Sequence, residues 1–329
     1  MKRTHLPLVP AEVLRRHRVL ESFDNRFRAA ARLLQALWRA ENEIPIGTHA
    51  AADGTSRKLG SRISSTVGAS GRNFMTPEIA RLAWREHAYR EPGAMVDEER
   101  LWTNLLSSHP LVFNALGPLR LDLSLATKVL RAICPDLGDA DVQSVAFEHS
   151  PGRRVPDLTG DRTAWDAVII YVRGTGKIGF VAIELKYSES AWEQQKELRE
   201  RYAELMPATG LYIDPTAAAL RKPPLQQFMR EHVLAQASIM RGDFTEGRFI
   251  VIAPELNLPA QDACRRYASH LVTPTDQQAG FATVMLEGFI AALGEHGDAG
   301  YADALFRRYC DWSLVDDEIE ANFPAKLAG

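Results

Sequence analysis

The chain has 329 residues, of which 46% are apolar and 25% are charged, and its formal net charge is −3. This composition is typical of a globular protein with a sizeable core, and it contains no apolar run of the about eighteen residues that a membrane-spanning helix needs. The three cysteines are far apart and fit neither a zinc site nor a disulfide framework, and the N-terminal residues do not resemble a signal peptide. We therefore expect a protein of the reducing cytoplasm, with no membrane partner.

The first part of the sequence is predicted to be helical. Thr76 and Pro77 are typical of the N-cap and the first residue of a helix. A polar, glycine-containing loop is expected at about 42–73. The spacing of apolar residues predicts helices over 11–40, 76–89, 96–107 and 121–133.

Positive charge is concentrated near the N-terminus, in Arg15, Arg16, Arg18, Arg26, Arg28 and Arg32. The slightly negative total charge does not by itself indicate nucleic-acid binding. A local basic patch can still bind phosphates, or it can be the solvated face of a helix. The sequence leaves both interpretations open.

After residue 140 the sequence alternates short apolar segments, rich in β-branched and aromatic residues, with helical patterns. Strands are predicted over 142–149, 165–172, 178–187 and 247–254. Helices are predicted over 190–205, 223–240, 260–270, 278–294 and 299–310, with Ser190 as an N-cap. This alternation predicts an α/β fold with a mixed central sheet flanked by helices. We expect an N-terminal helical region over 1–95 and a second domain, with C-terminal helices, over 96–329.

The segment 163–189 carries the most informative side chains. Glu184 and Lys186 are two residues apart on a predicted strand, so they point to the same face. If residues 174–176 form a three-residue hairpin loop, Asp166 lies directly opposite Glu184, with the two Cβ atoms about 5 Å apart. A two-residue loop would place Asp166 on the other face. The chemistry of a shared site therefore predicts the three-residue loop or an equivalent bulge.

Two carboxylates on one face repel each other unless a cation neutralises them. A hard divalent ion, Mg²⁺ or Mn²⁺, fits this pair, and it would polarise a phosphate oxygen and activate a bound water. Lys186 would orient that water or stabilise negative charge in the transition state. The structural alternative is a cross-strand salt-bridge cluster, which contributes about 0–1 kcal/mol when exposed.

The order helix, strand, strand with Asp166, strand with Glu184 and Lys186, helix, strand resembles the PD-(D/E)xK nuclease superfamily, also called the restriction-endonuclease-like fold. The match covers roughly residues 70–310, although Trp165 stands where the family name has proline. A bacterial branch of this superfamily is similar in the segments FEHSPGR (147–153), GDRTAWD (160–166), IELKYSE (183–189) and NLLSSHPLVFNALGPL (104–119).

The resemblance implies a Mg²⁺- or Mn²⁺-dependent phosphodiesterase that hydrolyses DNA. It implies that Asp166, Glu184 and the backbone carbonyl of Leu185 bind the metal and that Lys186 is catalytic. Glu148 is the candidate for a further catalytic acid, with Asp122 as the second choice.

Five further side chains are candidates for substrate binding: Arg153, Arg154, Arg162, Gln227 and Arg230. The three loop arginines could hold phosphates, or they could be solvated. Gln227 and Arg230 are one helical turn apart and could face the site. The alternative to a nuclease is a nucleic-acid-binding or interaction protein with an inactive nuclease-like fold. The sequence leaves a homodimer open.

Overall fold

The computed structural model describes residues 5–50, 54–94, 96–188 and 197–322. The helices are α1 (Ala11–Arg16), α2 (Arg26–Glu41), α3 (Ser65–Ala69), α4 (Pro77–Ala88), α5 (Glu98–Thr103), α6 (Ser108–Leu121), α7 (Leu123–Ile133), α8 (Arg201–Thr209), α9 (Gln226–Met240), α10 (Leu258–Ala268), α11 (Leu286–His296), α12 (Ala299–Tyr309) and α13 (Ser313–Asn322). The strands are β1 (Thr48–Ala50), β2 (Ser56–Lys58), β3 (Asp141–His149), β4 (Trp165–Val172), β5 (Ile178–Leu185), β6 (Glu246–Ala253) and β7 (Gly280–Met285).

A five-stranded mixed sheet in the order β3-β4-β5-β6-β7 forms the centre of the fold. β3, β4 and β5 are antiparallel neighbours, whereas β5, β6 and β7 run parallel. Parallel neighbours need long crossover connections, and α8 and α9 lie in the chain between β5 and β6, with α10 between β6 and β7. This architecture confirms the predicted α/β fold with a mixed sheet flanked by helices.

The sheet separates two apolar cores, because successive side chains of a strand point to opposite faces. On β4, Ala167 and Ile169 join the core on the side of α2, α6, α7, α11 and α12. Val168 joins the core on the side of α8, α9 and α10. β5 is buried on both faces from residue 179 onward, as expected of a central strand. No helix in the described ranges has both the length and the apolar character needed to cross a membrane.

The N-terminal helix α2 shares the first core with C-terminal helices. It contacts α12 and α13, and Phe27 packs edge to face against Trp312 and Tyr187. Arg28 also donates to the backbone oxygen of Ser188, two residues beyond Lys186. The predicted boundary between 1–95 and 96–329 remains a prediction.

Several element boundaries depart from the sequence-based prediction in the first half of the chain. The helix predicted over 11–40 is interrupted, because Arg18 adopts a left-handed conformation (φ 59°) and Asn25 caps a new helix. The loop predicted at 42–73 contains the β1–β2 hairpin and α3. The prediction missed α6, which is buried on nearly all sides and therefore lacks amphipathic spacing. The start predicted from Thr76 and Pro77 is confirmed, since Thr76 caps α4.

Two further differences lie in the second half. The helix predicted over 278–294 is wrong in its first part, where residues 280–285 form β7 paired to β6. This strand lies at the sheet edge and is only partly buried, so its composition gave a weak strand pattern. The prediction also missed α13. Ser190 and much of the helix predicted over 190–205 lie outside the described residues, and α8 begins at Arg201.

Candidate active site

Asp166 and Glu184 lie level with each other on neighbouring strands. The β4–β5 register pairs Ala167 with Ile183 and continues to Val172 and Ile178. Arg173 N donates to Lys177 O at 2.8 Å, which closes a loop of residues 174–176. Gly176 takes a left-handed conformation in this loop (φ 82°), which glycine adopts without strain. The predicted three-residue loop is therefore confirmed.

Glu148 extends this pair to a third strand. The β3–β4 register pairs Phe147 with Ala167 and His149 with Trp165, which places Glu148 level with Asp166. Glu148 itself has a left-handed backbone (φ 47°), an uncommon conformation for this residue type. Three acidic residues thus lie in a row across β3, β4 and β5.

Asp122, the second choice for the further acid, is elsewhere. It caps the N-terminus of α7, where its Oδ1 accepts hydrogen bonds from the backbone N–H groups of Ser124 and Leu125. A side chain in this position accepts hydrogen bonds from backbone N–H groups that have no partner within the helix. The structure therefore assigns Asp122 a structural contact and corrects that expectation.

Leu185 and Lys186, which follow Glu184 in the chain, both make polar contacts within the site. Leu185 is fully buried, and its N–H donates to Asp166 Oδ2 at 2.9 Å. Lys186 Nζ lies 2.8 Å from Glu184 Oε1 and donates to Gln227 Oε1 at 2.6 Å. The lysine is therefore fixed between the end of β5 and the first turn of α9.

Gln227 and Glu231 bring α9 into the site. The Gln227 amide donates to Glu184 Oε1 and to Glu231 Oε1, each at 2.8 Å. Glu231 is only 3% exposed, and its Oε2 has no hydrogen-bond partner in the described part of the chain. Sequence reasoning missed Glu231, although its spacing of four residues from Gln227 puts both on one helix face.

Glu148, Asp166, Glu184 and Glu231 gather around Lys186, and we call these residues the cluster. Their surroundings disfavour the charged form of several of the carboxyl groups. Desolvation, reinforced by Glu184 and Glu148, raises the pKa of Asp166 well above its usual range. Desolvation raises the pKa of Glu148 to about 7, although Arg153 opposes the shift. Desolvation and the charge of Glu184 raise the pKa of Glu231 strongly. The site therefore contains more acidic groups than Lys186 can neutralise, and three of them are shifted towards the protonated form.

The cluster forms the floor of a cleft of about 430 Å³. Arg153, Arg162 and Arg230, three of the candidates for substrate binding, also line this cleft. Arg154 does not line this cleft and instead borders a separate cavity with residues 197–201. Arg154 has a left-handed backbone (φ 63°), which turns the chain away from the cleft after Arg153.

Two of these arginines are held by acids outside the central cluster. Arg153 Nε lies 3.2 Å from Glu91 Oε2, and Arg230 lies 2.8 Å from Asp161 Oδ2. Desolvation acts to raise the pKa of Asp161, but Arg230 and hydrogen bonds from Thr163 hold it below the usual value. These pairings fix the positions of the guanidinium groups without neutralising the central carboxylates.

Histidine 149 and the N-terminal arginines have structural partners. His149 Nδ1 lies 2.5 Å from Glu91 Oε1. Arg28 and Arg32 are both paired with Asp24, at 2.8 and 2.6 Å. This part of the basic patch is therefore committed to intramolecular contacts.

The donor set of the cluster suits a hard divalent cation. Its side chains offer carboxylate oxygens, the unpaired Oε2 of Glu231 among them, and such oxygens are the preferred ligands of Mg²⁺. Within residues 5–50, 54–94, 96–188 and 197–322, no group of three or more histidine, cysteine, aspartate or glutamate side chains is positioned to hold a metal ion. Glu184 is hydrogen-bonded to Lys186 and Gln227 instead.

Comparison with known proteins agrees with this geometry. Neither the curated proteins nor the solved structures contain a significant match to the chain. A family model described as the PD-(D/E)XK nuclease superfamily matches residues 22–311, which is most of the sequence. The match includes all four acidic positions of the cluster and Lys186, together with the whole central sheet. The chain therefore belongs to the PD-(D/E)XK nuclease superfamily.

Proposed function

We propose that this protein is a metal-dependent nuclease that hydrolyses phosphodiester bonds of DNA, with Mg²⁺ or Mn²⁺ as the cofactor. The observation that carries the proposal is the row of Glu148, Asp166 and Glu184 across three adjacent strands, with Lys186 at the end of the row. Structural salt bridges pair opposite charges, whereas this row brings like charges together in a partly desolvated place. Such an arrangement is typical of a site that takes up a cation.

Asp166, Glu184 and the backbone carbonyl of Leu185 would hold the ion. When bound, a divalent cation there polarises a phosphate oxygen and lowers the pKa of a coordinated water. The proximity of Leu185 and Asp166 supports this ligand set, since the Leu185 N–H already contacts the Asp166 carboxylate. Burial raises the pKa values of Glu148 and Glu231, and a cation bound beside them would favour their ionised forms.

The protein's own cations account for the rest of the site. The Lys186 ammonium, held by Glu184 and Gln227, is placed to stabilise negative charge that develops on the phosphate. Arg153, Arg162 and Arg230 line the same cleft and can bind neighbouring phosphates of a nucleic-acid strand. The ion pairs of Arg153 and Arg230 pre-orient their guanidinium groups for that task.

The proposal is tested by cleavage assays on supercoiled plasmid, linear duplex DNA, single-stranded DNA and RNA, in Mg²⁺, Mn²⁺ or EDTA. Asp166→Asn and Glu184→Gln should each reduce the rate at least about 1000-fold, equivalent to about 4 kcal/mol of transition-state stabilisation. Asp157→Asn, a change at an exposed loop aspartate, serves as the matched control and should cut like the parent. Full activity in EDTA, or parental rates in the two site variants, would refute the metal-dependent mechanism, and faster cleavage of RNA would refute the DNA assignment.

Folding and metal binding are measured on the same variants. Asp166→Asn removes one charge from a repelling group, so its free energy of unfolding in EDTA should equal or exceed that of the parent. Calorimetry should detect Mg²⁺ binding by the parent and much weaker binding by Asp166→Asn. A parent that binds nucleic acid but takes up no Mg²⁺ would instead support a binding protein with an inactive site.

A further inference from the structure

A second pocket opens beside the catalytic cleft, and the two share part of their lining. His109, Glu148 and Asp166 border both spaces. The second pocket has a volume of about 120 Å³. Most of its remaining wall is apolar and is formed by Val96, Leu101, Val112, Phe113 and Phe147, and the polar side chains of Glu86, His87 and Glu91 also border it. We call this space the apolar pocket.

The size of the apolar pocket limits what it can hold. A single water needs about 10–15 Å³ of such space, and an engineered apolar cavity of about 150 Å³ in another protein binds benzene. A volume of 120 Å³ therefore suits one six-membered aromatic ring. The two fused rings of a purine would not be enclosed completely.

The position of the apolar pocket points to a part of the substrate. Because Glu148 and Asp166 line both spaces, a group in the pocket lies next to a phosphate held at the carboxylates. In a nucleotide, the group within this reach of the phosphate is the base or the sugar. A base in an intact duplex is paired and stacked, so it can enter a closed pocket only when it is unpaired.

The mouth of the apolar pocket carries a side chain suited to a neighbouring base. Tyr89 follows the C-terminus of α4, borders the pocket and is 84% exposed. An exposed aromatic ring is a platform on which bases of single strands stack with little regard to sequence. Arg90, next to it, also borders the pocket and brings a positive charge to the same rim.

We propose that the apolar pocket binds an unpaired pyrimidine base of the substrate strand next to the scissile phosphate, so that the protein prefers single-stranded or frayed DNA. The inference rests on the proposed nuclease function. It adds the substrate class, and it assigns Tyr89 to the adjoining base and Val112 to the pocket wall.

The first experiment compares substrates with the parent protein in Mg²⁺. An all-pyrimidine single strand should be cut at least tenfold faster than an all-purine one, and faster than the same sequence in a blunt duplex. Equal rates on all three would overturn the proposal while leaving the nuclease function intact. If the parent cuts none of them, the nuclease function fails, and the pocket is then judged by whether a single strand with a fluorescent cytosine analogue is quenched by the parent in Ca²⁺.

The second experiment fills the pocket. Val112→Phe should bring the pyrimidine-to-purine ratio of kcat/KM close to one, because a filled pocket can no longer hold a base. Because each ratio compares one protein on two substrates, differences in base stacking within the free strands cancel between variant and parent. A variant that is merely unstable would lose all substrates equally. A parental ratio in a folded Val112→Phe protein, or unchanged quenching of the cytosine analogue, would overturn the proposal.

The third experiment tests the mouth with a substitution that does not disturb the core. Tyr89→Ala should raise KM for single strands severalfold with little change in kcat, because an exposed stacking contact contributes to binding. Phe23→Ala is the matched control, since Phe23 is 71% exposed and lies between α1 and α2. Equal KM values for Tyr89→Ala and Phe23→Ala would remove Tyr89 from the proposal.

Discussion

Among the described residues, buried polar side chains gather both in the cleft at the end of β5 and between α2 and α12, and these two clusters differ in how completely their atoms are paired. The second, which we call the arginine cluster, consists of Trp38, Gln35, Asn73 and Arg308. Arg308 is fully buried and donates to Gln35 Oε1, Asn73 O and Asn73 Oδ1 at 3.3, 2.8 and 2.7 Å. Its guanidinium carbon lies 3.7 Å from the centre of the Trp38 ring.

The cleft contains the opposite arrangement. Four carboxylates gather around Lys186, several of them with raised pKa values, and Glu231 Oε2 has no partner among the described residues. A buried polar group that is fully hydrogen-bonded stabilises one structure, whereas an unpaired one destabilises the free protein. Natural proteins break this rule mainly at functional sites. The comparison therefore indicates a structural role for the arginine cluster and supports the proposed ligand site in the cleft.

The largest effect on stability is expected in the arginine cluster. Arg308→Met fills a similar volume but leaves two buried acceptor atoms, Gln35 Oε1 and Asn73 Oδ1, without a donor, so the free energy of unfolding should fall by about 3–5 kcal/mol. Urea denaturation followed by tryptophan fluorescence measures this loss.

The neighbouring arginine provides the control for this change. Arg307 is about half exposed and pairs with Glu41 at 2.8 Å, so Arg307→Met should cost less than about 1 kcal/mol. If Arg308→Met were as stable as Arg307→Met, buried pairing would not separate structural from functional clusters here.

The same comparison shows how far the sequence predicts the site. The alignment of Asp166 with Glu184 was predictable because strand periodicity and loop length together determine which residues oppose each other. Gly174 and Gly176 indicate the loop, and either a three-residue loop or an equivalent bulge brings both acids to one face. The residues beyond these strands required three-dimensional information.

Glu231 and Arg308 illustrate what the sequence could not reveal. Both are charged residues within helical patterns, and charged residues of helices are usually exposed. Their burial depends on packing against distant segments, Glu231 beside β5 and Arg308 beside Asn73. Edge strand β7 was missed for a related reason, because its strand character comes from pairing with β6 rather than from its composition.

A second prediction concerns His232, which follows Glu231 on α9 and is as fully paired as Arg308. His232 Nδ1 lies 3.0 Å from Tyr267 Oη, and Nε2 lies 2.8 Å from Ala279 O. Burial lowers the pKa of His232 to about 4, from an ordinary value of 6.5. The unfolded chain therefore binds a proton below pH 6.5 that the folded protein does not take up until about pH 4.

This difference makes stability depend on pH in a defined window. The contribution of His232 is fully present above pH 6.5 and is lost as the pH falls towards 4, by about 3 kcal/mol in all. His232→Gln should be less stable than the parent at pH 7, and the two unfolding free energies should converge as the pH approaches 4. Parallel curves for the two proteins would show that His232 has the same pKa in the folded and unfolded states, so that burial does not lower it.

The smallest effect is expected at Glu231, and its sign is opposite to that at Arg308. Burial raises the pKa of Glu231, so its charge is a cost of folding that is absent below pH 4.5 and grows as the pH rises through the folded-state value. In EDTA at pH 8, Glu231→Gln should therefore raise the free energy of unfolding by about 1 kcal/mol, and at pH 4.5 it should change little.

The sharpest form of this experiment adds Mg²⁺ and a surface control. Glu295 lies on the exposed side of α11, so Glu295→Gln should leave stability unchanged at both pH values. Saturating Mg²⁺ should stabilise the parent by binding to its folded state and thereby shrink the advantage of Glu231→Gln. A Glu231→Gln variant less stable than the parent at pH 8 would mean that this carboxylate is paired as well as Arg308 is, and the distinction between the two clusters would no longer hold.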